Sequence, residues 1–201
     1  MKVGILGGTF DPIHLGHLAA ARAAMDCAQL DRVVFVPSGT PPHRGPAVAS
    51  GAQRLEMCRL ATAGDSTFEV SDVEIRRGGR SYTADTLRAL SRERPHDQLF
   101  LVLGWDAARL FSSWREPEEV RRLATIVVVS RPIGAGSESP DLATLSAAGL
   151  DPERTVLCVR RTPDISGSAL RRAIAHGEPI HDLPKPVERY IAKHGLYMDN
   201  P

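Results

Sequence analysis

Lysine is scarce in this chain of 201 residues: Lys2, Lys185 and Lys193 are the only three, and the other 22 of its 25 cationic residues are arginine. Net charge is nearly absent as well, since 24 acidic residues leave a formal +1. That balance excludes a globally basic nucleic-acid binder and an acidic disordered tail, so no nucleic-acid polymer is expected as a partner. No stretch approaches the ~18 uninterrupted apolar residues of a membrane span, so no membrane partner is expected. Met1-Lys2 leads straight into a short apolar run, Val3 to Leu6, too brief for the core of an export signal, and a cytoplasmic protein is expected. The three cysteines, Cys27, Cys58 and Cys158, are odd in number, lack metal-ligand spacing and sit among apolar neighbours. Buried free thiols in a reducing compartment are the expectation. There is no internal repeat, and nothing in the composition speaks to oligomeric state.

What is present is enough apolar sequence, 42%, for one domain with a real core. Strand-like runs occur at Val3–Leu6, Val33–Val36, Leu99–Leu103, Thr125–Val129 and Val156–Val159, with helical spacing between them. This β-α-β-α alternation is that of a parallel α/β sheet. Leu18, Ala21, Met25 and Ala28 fall on one face of a first helix. Ser50 and Gln53 form a capping box before a helix that Gly64 can close. Thr83 and Asp85 open a helix running through Leu87 and Leu90 to a stop at Pro95. Ser166 and Ser168 precede a helix carrying Leu170 and Ile174, and Pro186 starts a last one with Val187, Tyr190 and Ile191 inward and Gly195 at its end. The Pro- and Gly-rich stretch from Pro37 to Ala49 reads as a long loop, a kind usually functional or mobile, and Gly134 to Pro140 as a surface loop.

The most informative segment is Gly7-Gly-Thr-Phe-Asp-Pro-Ile-His-Leu-Gly-His17, lying after the first strand and before the first helix. In an open α/β sheet ligands bind at the carboxyl ends of strands near the switch point. Gly7 and Gly8 let backbone approach a ligand, and the helix start offers N–H groups to phosphate. His14 and His17, three apart, point the same way if both lie in the first helical turn. The segment lacks the G-x-G-x-x-G of a dinucleotide fingerprint, and an H-x-x-H pair without a third ligand is a poor zinc site. The sequence shows no nucleophile with its base. Donors and cations around a phosphate cradle suit a direct in-line displacement instead.

This segment resembles the signature of the nucleotidylyltransferase superfamily, and the chain as a whole resembles the bacterial nicotinate-mononucleotide adenylyltransferases. Further motifs carry the likeness in order: Pro41-Pro-His-Arg44, Ser81-Tyr-Thr-Ala-Asp-Thr-Leu87, Gly104-Trp-Asp106 with Trp114 beyond, Arg131-Pro132, Ile165-Ser-Gly-Ser-Ala-Leu-Arg171, and Val187 with Tyr190-Ile191 and Leu196-Tyr197. It implies a Rossmann-like, doubly wound parallel sheet, residues 1–201 forming one domain with a small C-terminal helical extension from about 165. It also implies an enzyme of NAD biosynthesis that joins ATP to nicotinate mononucleotide, with Mg²⁺ carried on the ATP phosphates.

The resemblance also implies residue roles. His14, His17 and Arg171 would be catalytic. Gly7, Gly8, Thr9, Phe10, His14, His17, Gly104, Asp106, Ser166, Ser168 and Arg171 would bind ATP. Thr9, His43, Arg44, Thr83, Asp106, Trp114 and Arg131 would bind the mononucleotide. The chain departs from the family pattern at Gly167, at Ser168 where threonine is common, and at Arg115 where an aromatic is frequent. Plainer roles compete: Ser166 or Ser168 as an N-cap, Trp114 as core packing, and most arginines as composition. Alternative functions are a related transferase acting on nicotinamide mononucleotide or phosphopantetheine, or a nucleotide-sensing domain without turnover.

Overall fold

Residues 1–40, 47–130, 141–160 and 162–198 are described by a computed structural model. Their strands are β1 (Lys2–Gly8), β2 (Arg32–Pro37), β3 (Phe68–Val70), β4 (Gln98–Gly104), β5 (Thr125–Ser130) and β6 (Thr155–Val159). They form one sheet in the order β3-β2-β1-β4-β5-β6. The pairs β1–β4, β4–β5 and β5–β6 run parallel. An order that reverses at β1 is that of the doubly wound Rossmann-like α/β fold, as expected. All five strands read from the sequence are present. β3 was not among them, because three half-buried residues at the sheet edge leave too short a pattern.

The chain divides into two compact units. The first comprises Met1–Leu6, Ala19–Val34 and Tyr82–Thr162, the last stretch including helix α7 (Leu142–Ala147). Its centre is β5, where Ile126, Val127 and Val128 are each at most 2% exposed, the continuous apolar run of a strand covered on both faces. Helix α1 (Leu15–Ala28) buries Ala21 and Ala28 as the spacing predicts, with Ala23 and Ala24 added and Leu18 and Met25 only half-buried. Helix α4 (Thr83–Glu93) buries Ala84, Thr86, Leu87 and Leu90 and packs against α6 (Pro117–Leu123). Arg88 of α4 bridges the two helices, donating to Asp85, Glu116 and Glu119.

The cysteine expectation needs correction in this unit. Cys27, in the last turn of α1, and Cys158, on β6, form a disulfide with Cα atoms 5.8 Å apart. They are 131 positions apart, a separation from which spacing rules read nothing. Cys58 is a buried free thiol, as expected, and burial pushes its pKa upward.

The second unit comprises Gly7–Leu18, Phe35–Ser81 and Pro163–Pro201. Here α2 (Gly51–Thr62) carries both bonds of the expected Ser50–Gln53 capping box. It ends at Ala63 in right-handed conformation, one residue before Gly64. Short α3 (Val73–Arg77) follows β3. The C-terminal piece contributes α8 (Gly167–Ala175) and α9 (Lys185–His194), the latter packed on α2, with Val187 and Ile191 buried, Tyr190 only half-buried, and Gly195 closing it at φ 59°. Leu15 N–H donates to the Asp182 carbonyl, so the start of α1 is fastened to that piece.

Candidate functional site

In the second unit β1 delivers Gly7 and Gly8 as its last two residues. A Cβ on Gly8 would stand 2.9 Å from the Phe10 ring, so any larger residue there would displace the ring. Phe10 is 2% exposed and lies edge-on to His17, with centroids 4.9 Å apart. His14 immediately precedes α1 and His17 sits in its first turn. Their rings stack at 3.6 Å, as the three-residue spacing predicts. The His14 backbone N–H donates to His17 Nδ1 at 3.2 Å, so a neutral His17 carries its proton on Nε2. That nitrogen is then a donor suited to an anionic oxygen.

The start of α8 belongs to the same unit. Ser166 is its N-cap residue but makes no side-chain cap bond. Its Oγ lies 2.9 Å from the Oγ of Ser168. Ser168 therefore does not precede the helix but falls within its first turn, a correction to the expected boundary. Arg171, one turn on, donates from Nη1 to the Asp11 carbonyl at 2.6 Å and keeps 29% of its side chain exposed. A Cβ on Gly167 would rest 3.5 Å from the same carbonyl, in ordinary contact. The structure thus places Gly7, Gly8, Thr9, Phe10, His14, His17, Ser166, Ser168 and Arg171 in one unit.

Thr83, Gly104, Asp106 and Trp114 belong to the other unit. Thr83 is the first residue of α4. Gly104 ends β4 and caps α5 (Trp105–Ala108), whose first turn holds the exposed Asp106. The half-buried Trp114 ring packs 5.6 Å from fully buried Phe111. Arg115, the departure from the family's aromatic, lies over the Tyr82 ring at 4.5 Å. His43, Arg44 and Arg131 lie outside the described residues, as does Gly134 to Pro140.

Three residues that sequence reasoning passed over hold the second unit together. The Asp11 carboxylate, 8% exposed, accepts from the Val48 N–H at 2.8 Å, the Ala49 N–H at 3.1 Å and the Tyr197 hydroxyl at 2.8 Å. Burial, and then the Asp11 charge, push the Tyr197 phenol upward, so it remains the donor. Arg54, 2% exposed, donates to the carbonyls of Thr9, Gly39 and Ala49. Asp11 lay inside the glycine motif and Tyr197 inside the closing one, but nothing in either motif says that they meet. Among the described residues no three or more His, Cys, Asp or Glu are grouped to hold a metal ion. The chemistry on offer is hydrogen-bond donation and positive charge toward phosphate oxygens. With its oxygens committed to N–H and O–H donors, Asp11 serves as scaffold.

Residues 5–173 match the family described as cytidylyltransferase-like. The chain is 47% identical to a probable nicotinate-nucleotide adenylyltransferase of Roseiflexus sp. (strain RS-1), covering 97% of both. It is 43% identical to another from Thermus thermophilus, covering 98% of this chain and all of the relative. The fold is shared with the solved Plasmodium falciparum nicotinic acid mononucleotide adenylyltransferase complexed with NaAD. That likeness has a TM-score of 0.79 at 19% identity, over 99% of this chain and 98% of the other.

Proposed function

The chain belongs to the cytidylyltransferase-like family and, within it, to the nicotinate-nucleotide adenylyltransferases, and from that premise we propose how it works. It joins ATP and nicotinate mononucleotide into nicotinate adenine dinucleotide and pyrophosphate. An oxygen of the mononucleotide phosphate attacks the α-phosphorus of ATP. The new P–O bond forms as the bond to the β-phosphate breaks, and pyrophosphate departs with the electron pair. The stacked His14–His17 pair at the end of the glycine turn carries the reading, because two aligned imidazoles at a helix start suit accumulating phosphate charge.

The backbone of Gly7, Gly8, Thr9 and Phe10 cradles the phosphates between the two substrates. His14 and His17 stabilise the charge growing on the leaving group, together with Arg171, Ser166, Ser168 and the free N–H groups that start α8. Gly104 and Asp106 contact the nucleotides, Asp106 through a ribose hydroxyl. Thr83 and Trp114 take the nicotinate ring by hydrogen bond and stacking. The N-terminal end of α4 favours the acid over the amide. His43 and Arg44 bind the mononucleotide, and Arg131 holds its phosphate. The imidazoles, hydroxyls and guanidinium of the cradle suit phosphate oxygens rather than a magnesium ion. Mg²⁺ would therefore be held by the ATP phosphates, neutralising charge there when bound. Cytoplasmic location follows from the same reading.

The decisive assay measures pyrophosphate release from ATP with nicotinate mononucleotide, nicotinamide mononucleotide and phosphopantetheine in parallel. Turnover is expected with the nicotinate compound. Consumption of phosphopantetheine alone overturns the substrate assignment, and binding of ATP without release in any arm points to a sensing domain.

A further inference from the structure

Arg54 is an expensive residue to bury. It projects from the first turn of α2, is 2% exposed, and burial depresses its pKa against the opposing influence of the Asp11 charge. An apolar residue of similar volume would fill this space without desolvating a guanidinium. What the guanidinium adds is a rigid fork of donors aimed at three acceptors. Nη1 reaches the Thr9 carbonyl at 2.7 Å, Nη2 the Gly39 carbonyl at 3.1 Å and Nε the Ala49 carbonyl at 3.2 Å. These carbonyls come from three separate backbone segments, after β1, after β2 and before α2.

Two of these segments are gripped from a second side. Asp11 takes the N–H groups of Val48 and Ala49, so Ala49 is held by its N–H and its carbonyl at once. The Gly39 N–H donates to Ser81 Oγ at 2.9 Å. A Cβ on Gly39 would come within 2.8 Å of the Glu74 carbonyl, so that segment is packed too closely for any other residue. Thr9 directly follows the glycines of the phosphate cradle. Its carbonyl has the shortest of the three bonds to Arg54.

We infer that Arg54 is a positioning residue for adenylyl transfer, its buried guanidinium fixing the Thr9 carbonyl, and with it the Gly7–Thr9 turn, against the backbone at Gly39 and Ala49. The inference rests on the function proposed above. Arg54 touches no substrate, and its effect is exerted through the geometry of the turn. A turn released from Arg54 can still bind both nucleotides but presents its N–H groups away from the transition-state phosphate. A misplacement of that kind costs about 10²-fold in rate.

The test compares the whole chain with Arg54→Met and Arg54→Lys, each assayed well below its own melting temperature and normalised to folded protein by near-UV circular dichroism. Arg54→Met is expected to lose about 10²-fold in kcat with both KM values within about threefold of the parent, the pattern of an interaction that acts in the transition state. Arg54→Lys should regain part of that loss, because an ammonium reaches some of the carbonyls but cannot span all three. If both variants fold and turn over within about twofold of the parent, or if neither folds, Arg54 is a structural residue and the inference falls. A parent that releases no pyrophosphate overturns the proposed function instead, so the two failures are distinguishable.

Discussion

At the scale of single residues, a backbone N–H decides the chemistry of His17. The bond from His14 N–H to Nδ1 leaves the proton of a neutral ring on Nε2, while Phe10 and the His14 ring hold the imidazole plane. In the proposed transfer, a donor fixed this way needs no reorganisation when charge builds on the departing phosphate. His17→Ala should therefore lower kcat by about 10²–10³-fold, the usual loss for one transition-state donor, while the protein stays folded. Steady-state kinetics alongside a melting curve check this, and near-normal turnover in a folded variant removes His17 from the mechanism. The histidines were legible because their spacing and the adjoining glycines form a local pattern. Arg54 and Tyr197 were not, since what defines them is a partner 45 or 186 positions away. Periodicity marks a residue's face and is silent on which carbonyl a buried guanidinium will meet.

Among elements, legibility followed length. The four long central strands have unbroken apolar runs, and the capping box at Ser50 is a fixed four-residue pattern, so both could be read directly. Helices α3, α5 and α6, of five, four and seven residues, are too short to show a period. The α4–α6 contact carries ion pairs, in a form that pH can probe. Hydrogen bonds from Arg122, and then from Arg88, hold the Glu119 carboxyl down from its ordinary 4.5 to about 2. Glu116 is lowered as well, chiefly by its bond to Arg88. A carboxylate depressed in the folded state stabilises fully above its unfolded pKa and loses that contribution as pH falls toward the folded value. Arg88→Met should accordingly lower Tm at neutral pH, with the gap from the parent narrowing as pH drops from 4.5 toward 2. The groups are exposed, so added salt should narrow the gap too. A gap independent of both pH and salt would assign the effect to packing of the Arg88 stem.

For the whole molecule, net charge said little about function, because placement decides it. Of the 22 arginines, Arg171 donates to the Asp11 carbonyl, Arg54 is buried against the Thr9, Gly39 and Ala49 carbonyls and Arg88 bridges two helices, while the formal sum stays at +1. Cysteine count misled for a related reason: an odd number does not exclude one bridge and one free thiol. The Cys27–Cys158 bond ties the end of α1 to β6, the last strand of the sheet, across 131 positions. Closing so long a loop restricts the unfolded chain, and such a bond contributes about 2–4 kcal/mol. Thiol titration reads the arrangement directly. Native protein should expose no reactive thiol, because Cys58 is buried with a raised pKa and the other two are bonded. Unfolding without reductant should release one thiol per chain, and unfolding with reductant three. The reduced protein should then melt below the oxidised one, and a Cys27→Ser variant should match the reduced form. Three thiols in protein unfolded without reductant would instead restore the expectation of free cysteines, in keeping with a reducing compartment where disulfides are rare.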